Sequence, residues 1–417
     1  MGLESGSDLP PSRSNRPQRS DASSRRRFLA GAVTVVGGTL GIAACGSRSK
    51  ADSGKAAAGP ASEAVIKITP EDGTADAGVA SASVSCLKGE LTDVTVVTAD
   101  KQTPVKGSLS ADKTTWKPDS PLERETTYKV SASAKDAQGR PVTKQATFTT
   151  VSAANSFIGT FTPEDGSKVG VGMPVSITFD KPVKDKRAVE SALKVKCSSG
   201  QEVVGHWFSD TRIDFRPKEY WEKGSTVTLQ LRLADVEASS GVKGIQDKTV
   251  SFTIDRSQVS TVDVATCTMT VVRDGETVKT IPISAGSKEN PTYNGQMVIS
   301  EKHKETRMDG STVGFGGEYD IPDVPHAMRL STSGTFIHGN YWSSGVFGRS
   351  NTSHGCIGLA DAQGANDSGT PGAWFYANSI IGDVVIVKNS PDETIRADNG
   401  LNAWNVDWND WVKGSAL

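Results

Sequence analysis

Short alternating runs of Val, Thr and Ser, a pentapeptide that returns after 93 residues, and 42 glycines in 417 residues predict a mainly β chain. The predicted architecture is two immunoglobulin-like β-sandwiches, then a third β-rich unit, then a short Trp-rich helical tail. The pentapeptide is Thr69-Pro70-Glu71-Asp72-Gly73, and it returns as Thr162-Pro163-Glu164-Asp165-Gly166. Each copy is followed by a matching step, Trp116-Lys117-Pro118 in the first and Phe215-Arg216-Pro217 in the second. An alternating strand comes next in both, at 127–131 and 226–230. Repeats of roughly 100 residues built from short strands and turn residues suit two sandwiches, placed at 62–151 and 152–256. Neither carries a catalytic constellation; His206, beside Trp207, is expected to be packed or at the surface.

The N-terminal 44 residues have the pattern of a processing segment. Ser24-Arg25-Arg26-Arg27-Phe28-Leu29 fits a twin-arginine export pattern, a basic block directly before an apolar run. The run ends in Ile42-Ala43-Ala44-Cys45, the form of a lipobox, which makes Cys45 the expected lipidation site. Residues 45–61, mostly Gly, Ala, Ser and Lys, read as a flexible tether. These features place the body of the protein outside the cytoplasm, lipid-anchored to the outer face of the plasma membrane. A formal net charge of −2 without a basic stripe excludes a nucleic-acid partner.

The third unit is expected over 257–389. Val262 to Val272 reads as a β run, Arg273-Asp274-Gly275-Glu276 as a turn and Thr277 to Ile283 as the returning strand. Met297–Ser300, Thr335–His338 and Asp383–Val387 read as further strands. The stretch between Asp309 and Met328, rich in Gly, Pro and Asp, reads as a functional loop or lid. In the tail, 390–417, Trp404, Trp408 and Trp411 fall at helical spacing and predict one short helix packed back on a neighbouring domain.

Of the five cysteines, Cys86, Cys197 and Cys267 fall in different domains and are expected as buried thiols. Cys356 differs, because it lies in Ser353-His354-Gly355-Cys356, with His338 at the end of a predicted strand fifteen residues before Ser353. A free thiol is only a few per cent ionised at neutral pH, so a nucleophilic cysteine needs a basic partner. A histidine reaching the sulfur from an adjacent strand supplies one, and a backbone carbonyl can hold its tautomer. Gly355 permits a sharp turn, and the amides of Gly355 and Cys356 then point at a developing oxyanion. These residue types suggest acyl transfer through a thioester. A zinc site from His338, His354 and Cys356 is disfavoured, since no CxxC or HExxH spacing is present; neither a metal nor a cofactor is expected.

Ile337-His338-Gly339 with Ser353-His354-Gly355-Cys356 resembles the His…SHGC signature of the L,D-transpeptidases, cysteine enzymes that cross-link peptidoglycan. The tether, two immunoglobulin-like modules, catalytic unit and Trp-rich tail resemble the mycobacterial and actinobacterial lipoprotein members. The resemblance implies Cys356 as nucleophile, His338 as general base, the Gly339 carbonyl as its orienting group and His354 as a supporting residue. It further implies a substrate pocket lined by Met308, Tyr341, Trp342, Ser353 and Gly358. The implied partners are donor and acceptor peptidoglycan stem peptides, with β-lactams of the carbapenem type as inhibitors. Two departures stand out: the family usually has Asn or Arg where this chain has Gly358, and commonly serine where it has Gly339. Gly358 supports the alternative of a non-catalytic peptidoglycan-binding lipoprotein that retains the fold.

Overall fold

The computed structural model describes residues 60–313 and 316–417. The export segment, Cys45 and nearly all of the tether lie outside the described residues. Pro60–Leu417 forms one compact unit.

In the first sandwich, Val65–Thr69, Ser83–Leu87, Thr115–Pro118 and Gly107–Leu109 form one sheet, in that order. Glu90–Thr98, Thr127–Lys135 and Pro141–Thr149 form the other. Alternate residues of both sheets, among them Ile66, Val84, Trp116, Tyr128 and Phe148, fill the space between. The second sandwich pairs two four-stranded sheets over Ile177, Phe179, Trp207, Ile213, Trp221 and Phe252.

The repeated pentapeptide proves to be a repeated contact. The Gly73 amide donates to Thr147 O and the Thr147 amide to Asp72 Oδ1 (2.8 and 2.7 Å). The Gly166 amide donates to Ser251 O and the Ser251 amide to Asp165 Oδ1, both at 2.8 Å. Each Asp-Gly turn, with glycine φ of +78° and +72°, thus clips onto a long strand of its own sandwich.

The third unit is a nine-stranded sheet. Its strands in chain order are β1 (Gln258–Asp263), β2 (Thr268–Arg273), β3 (Glu276–Ser284), β4 (Gly295–Val298), β5 (Glu301–Asp309), β6 (Asp320–Arg329), β7 (Phe336–Asn340), β8 (Ile357–Ala360) and β9 (Val384–Lys388). The order across the sheet is β4-β9-β1-β2-β3-β8-β7-β6-β5, with β1/β9 and β7/β8 parallel. Helix α1 (Pro371–Ala377), capped by the Thr370 hydroxyl, packs Phe375 onto the core beside Ile337, Ile357, Leu359 and Met328.

Two expectations in this unit are corrected. The run Val262–Val272 breaks at Val264–Cys267 into β1 and β2, with Cys267 at φ +52° in the turn. The Asp309–Met328 segment is half strand, because β5 and β6 pair as a long antiparallel hairpin, with a 3₁₀ turn at Gly310–Val313 directly after β5. Every residue of β5 is exposed or half-buried, so the strand reaches past the core and carries no apolar alternation.

The tail is also corrected. Trp404 lies in a 3₁₀ turn (Ala403–Asn405), and only Trp408 and Trp411 share a helix, α2 (Trp408–Lys413). The three indoles instead surround the Arg216 guanidinium, at 4.9, 5.5 and 4.3 Å from its carbon. Trp411 is fully buried, donates to Val204 O at 3.0 Å and stacks on His206 at 4.6 Å. His206 is therefore packed. Trp411→Ala should cost about 3–5 kcal/mol, the range for emptying a buried aromatic site, read as a fall in the denaturant midpoint. A loss below ~1 kcal/mol would show that the tail does not hold the second sandwich.

Cys86, Cys197 and Cys267 are free thiols, as expected, though Cys197 is only half-buried beside Ser199. No helix among the described residues is long and apolar enough to cross a membrane.

Candidate functional site

The site lies where β7 runs parallel to β8, with His338 opposite Gly358. Period-two alternation sorts the side chains of both strands. Ile337, Ile357 and Leu359 enter the main core, whereas Phe336 and Cys356 join a smaller apolar cluster with Val324 and Ala327. His338, Asn340 and Cys356 line one cavity of about 380 Å³. Met308, Tyr319, Ile321, Trp342, Ser343, Thr352, Ser353 and His354 complete its wall.

His338 Nδ1 lies 2.7 Å from Gly339 O, and since a carbonyl can only accept, Nδ1 carries the proton. Nε2 is left as a proton acceptor. Burial pushes the imidazole below its usual value, against the opposing effects of the Gly339 carbonyl and Asp361. Burial also pushes the Cys356 thiol up to about 11, against the Phe336 backbone and Arg329. Both shifts favour the uncharged pair. The thiol donates to Gly334 O at 3.5 Å and makes no hydrogen bond to His338. The resting arrangement is therefore a neutral thiol hydrogen-bonded to Gly334 O in the same cavity as a neutral base.

The turn before Cys356 also differs from expectation. Gly355 takes φ +103°, as a sharp turn requires, but its amide donates to Ser353 Oγ at 3.2 Å. Ser353 Oγ in turn donates to Cys356 O at 2.6 Å. The Gly355 amide is thus engaged inside the turn and does not point at an oxyanion, and Ser353 braces the turn from the cavity wall. His354 meets the tip of the β5–β6 hairpin: its Nε2 lies 3.0 Å from Glu318 Oε2, with its ring 5.1 Å from Tyr319.

Among the expected pocket residues, Met308 and Trp342 are in place, and the indole stacks on His338 at 5.7 Å. Tyr341 is not. Its hydroxyl donates to Asp323 Oδ1 at 2.6 Å, and its ring supports Trp342 edge-on at 5.0 Å. Gly358 does not line the cavity either. It sits inside β8, paired with both His338 and Ser284, and a Cβ there would lie 3.5 Å from Asn340 Nδ2. Asn340 therefore occupies the neighbourhood that a side chain at 358 would enter. The sequence carries a signal for Asn340, since 336, 338 and 340 share one face of β7; Tyr319 lies in the Gly/Asp-rich stretch and has none.

A second cavity of about 300 Å³ opens beside β5, lined by His303, Thr306, Arg307 and Asp309 among others. It shares Met308 and Tyr319 with the first and is lined by Gly334, the thiol's acceptor. Among the described residues no group of three His, Cys, Asp or Glu has metal-binding geometry.

Residues 72–237 match the family model described as a bacterial Ig domain, and 257–387 match the L,D-transpeptidase catalytic domain. The chain is 33% identical over 408 residues to L,D-transpeptidase 2 of Mycobacterium tuberculosis (strain CDC 1551 / Oshkosh), covering 94% of this chain and 96% of that protein. It is 31% identical over 418 residues to L,D-transpeptidase 5 of Mycobacterium tuberculosis (strain ATCC 25618 / H37Rv), covering 98% and 89%. A solved structure of the LD transpeptidase LdtMt1 in complex with imipenem is 27% identical, with a TM-score of 0.47, over 55% of this chain and 97% of that one. The long, end-to-end match to L,D-transpeptidase 2 leaves one conclusion: this chain belongs to the L,D-transpeptidase family.

Proposed function

We propose that the chain cross-links peptidoglycan stems through a thioester on Cys356. The observation that carries this reading is the tie between His338 Nδ1 and the Gly339 carbonyl, which leaves Nε2 as a base in the same cavity as the thiol. The Cys356 proton passes to Nε2 as the sulfur attacks the diamino-acid carbonyl of a donor tetrapeptide. The protonated His338 then gives its proton to the departing D-alanine, leaving the thioester. A side-chain amine of an acceptor stem attacks the thioester, His338 removes the amine's proton, and the thiol is restored. The two cavities sharing Met308 and Tyr319 provide one approach for each stem. On this reading the export segment directs the chain outward and Cys45 carries the lipid that holds it to the outer face of the plasma membrane.

A β-lactam carbonyl would be attacked in the same way, so a carbapenem should add to Cys356. Peptide mass mapping after incubation with the drug checks this, and an unmodified Cys356 peptide would count against the thioester. Gly358→Asn should raise the carbapenem acylation rate about two- to tenfold, the worth of one added polar contact. A Cβ at 358 meets Asn340 Nδ2 and Ser284 O at 3.5 Å, ordinary contacts, so the backbone accepts it, and the longer side chain reaches the cavity only as Asn340 shifts aside. Stopped-flow rates that are equal or slower would show that Asn340 already fills this role.

A further inference from the structure

Behind the base strand, on its core side, lies a buried pair that the mechanism above does not use. His326 Nδ1 lies 2.7 Å from Asp361 Oδ2, with side chains 7% and 0% exposed. The other carboxylate oxygen accepts from the Thr370 hydroxyl at 2.7 Å and the Ala362 amide at 2.8 Å. His326 reaches this position by taking φ +49° within β6, a conformation that favours glycine and costs most residues energy. Such outliers persist where the surroundings hold them.

The carboxylate is packed against the α-carbon of Gly339. A Cβ built there would lie 2.1 Å from Asp361 Oδ2 and 2.6 Å from its Cβ. A serine at 339 and an aspartate at 361 cannot coexist in this backbone. The glycine that departs from the commoner pattern is therefore explained by what stands behind it.

We propose that Asp361, held by His326, is a positioning residue for His338: it seats the Gly339 peptide whose carbonyl fixes Nδ1, and it stabilises the positive charge His338 gains when it takes the thiol proton. The inference rests on the reading of His338 as the base. The geometry fits it, because the carboxylate packs on the α-carbon of the same residue whose carbonyl orients the ring. An electrostatic interaction in a dry interior is far stronger than the same one in water. The lowering that burial imposes on the His338 imidazole is opposed by Asp361, consistent with this. The other charged or titratable groups facing the site are Cys356, Tyr319 and the His354–Glu318 pair around the cavity, with Arg329 near the thiol.

The test is the titration of His338, read by NMR of labelled imidazoles in the full chain, which has five histidines. In Asp361→Asn, which keeps shape and hydrogen-bonding capacity, the His338 midpoint should fall by at least ~0.5 pH units. Carbapenem acylation should slow roughly tenfold, the rate equivalent of about one pH unit of lost basicity. A purely structural role would lower the amplitude and leave the midpoint in place, and an unmoved midpoint overturns the proposal. Should the Asn variant not fold, Asp361→Ser read in the same way decides it. If the wild-type protein is never acylated, the proposed function fails, whereas the titration still decides the role of Asp361.

Discussion

Cys356→Ala should lose all acyl-enzyme formation while unfolding at nearly the wild-type midpoint. The thiol makes one weak hydrogen bond, to Gly334 O at 3.5 Å, and belongs to a small cluster with Val324, Ala327 and Phe336. Alanine there removes one buried sulfur, at a cost on the order of 1 kcal/mol. The chemistry has no substitute, because Cys86, Cys197 and Cys267 lie outside the cavity. Intact-protein mass after exposure to a carbapenem measures this. An adduct on the Ala variant at this site would remove Cys356 from the mechanism.

His338→Gln should slow acylation by roughly 10²–10⁴-fold, the usual worth of a positioned general base. The pH dependence follows from the same burial. A thiol raised to about 11 is protonated throughout the neutral range, and a lowered imidazole is uncharged there. Thiolate therefore appears only as pH climbs toward the raised value. Alkylation of Cys356 by iodoacetamide should rise steadily from pH 7 to 10 and show no plateau near neutrality. A plateau below pH 8 would mean that the resting pair is already ionised. In the Gln variant carbapenem acylation should follow the thiolate alone, so the deficit against wild type shrinks as pH rises.

The sandwiches were legible because their strands alternate and their turns repeat: Asp72-Gly73 and Asp165-Gly166 do the same work in both. The site's central pair was legible for a different reason. Parallel pairing of β7 with β8 sets His338 opposite Gly358, two residues from the thiol, so the two short motifs meet. Strand β5 was hidden because it leaves the core, and a strand wet on both faces has no alternation to detect; β6 was hidden because five consecutive residues, Val324–Met328, are buried with no period of two. The Gly355 amide was assigned to an oxyanion because sequence cannot show that Ser353 claims it. Asp361 was invisible for a related reason. Its partners, His326, Gly339 and Thr370, come from three separate segments and meet only when α1 packs under β7. The tail stripe was read as one helix because spacing alone cannot reveal that Arg216, from the second sandwich, organises the three indoles.

In the proposed reaction the acyl group held as a thioester on Cys356 is passed to an amine of a second stem. The most direct test of this transfer is to incubate the purified chain with a disaccharide tetrapeptide and follow the products by mass. A cross-linked dimer, one D-alanine lighter than two monomers, should appear with wild-type protein and be absent with Cys356→Ala. Dimer formed equally by both proteins, or only unchanged monomer with wild type, would contradict the proposed reaction.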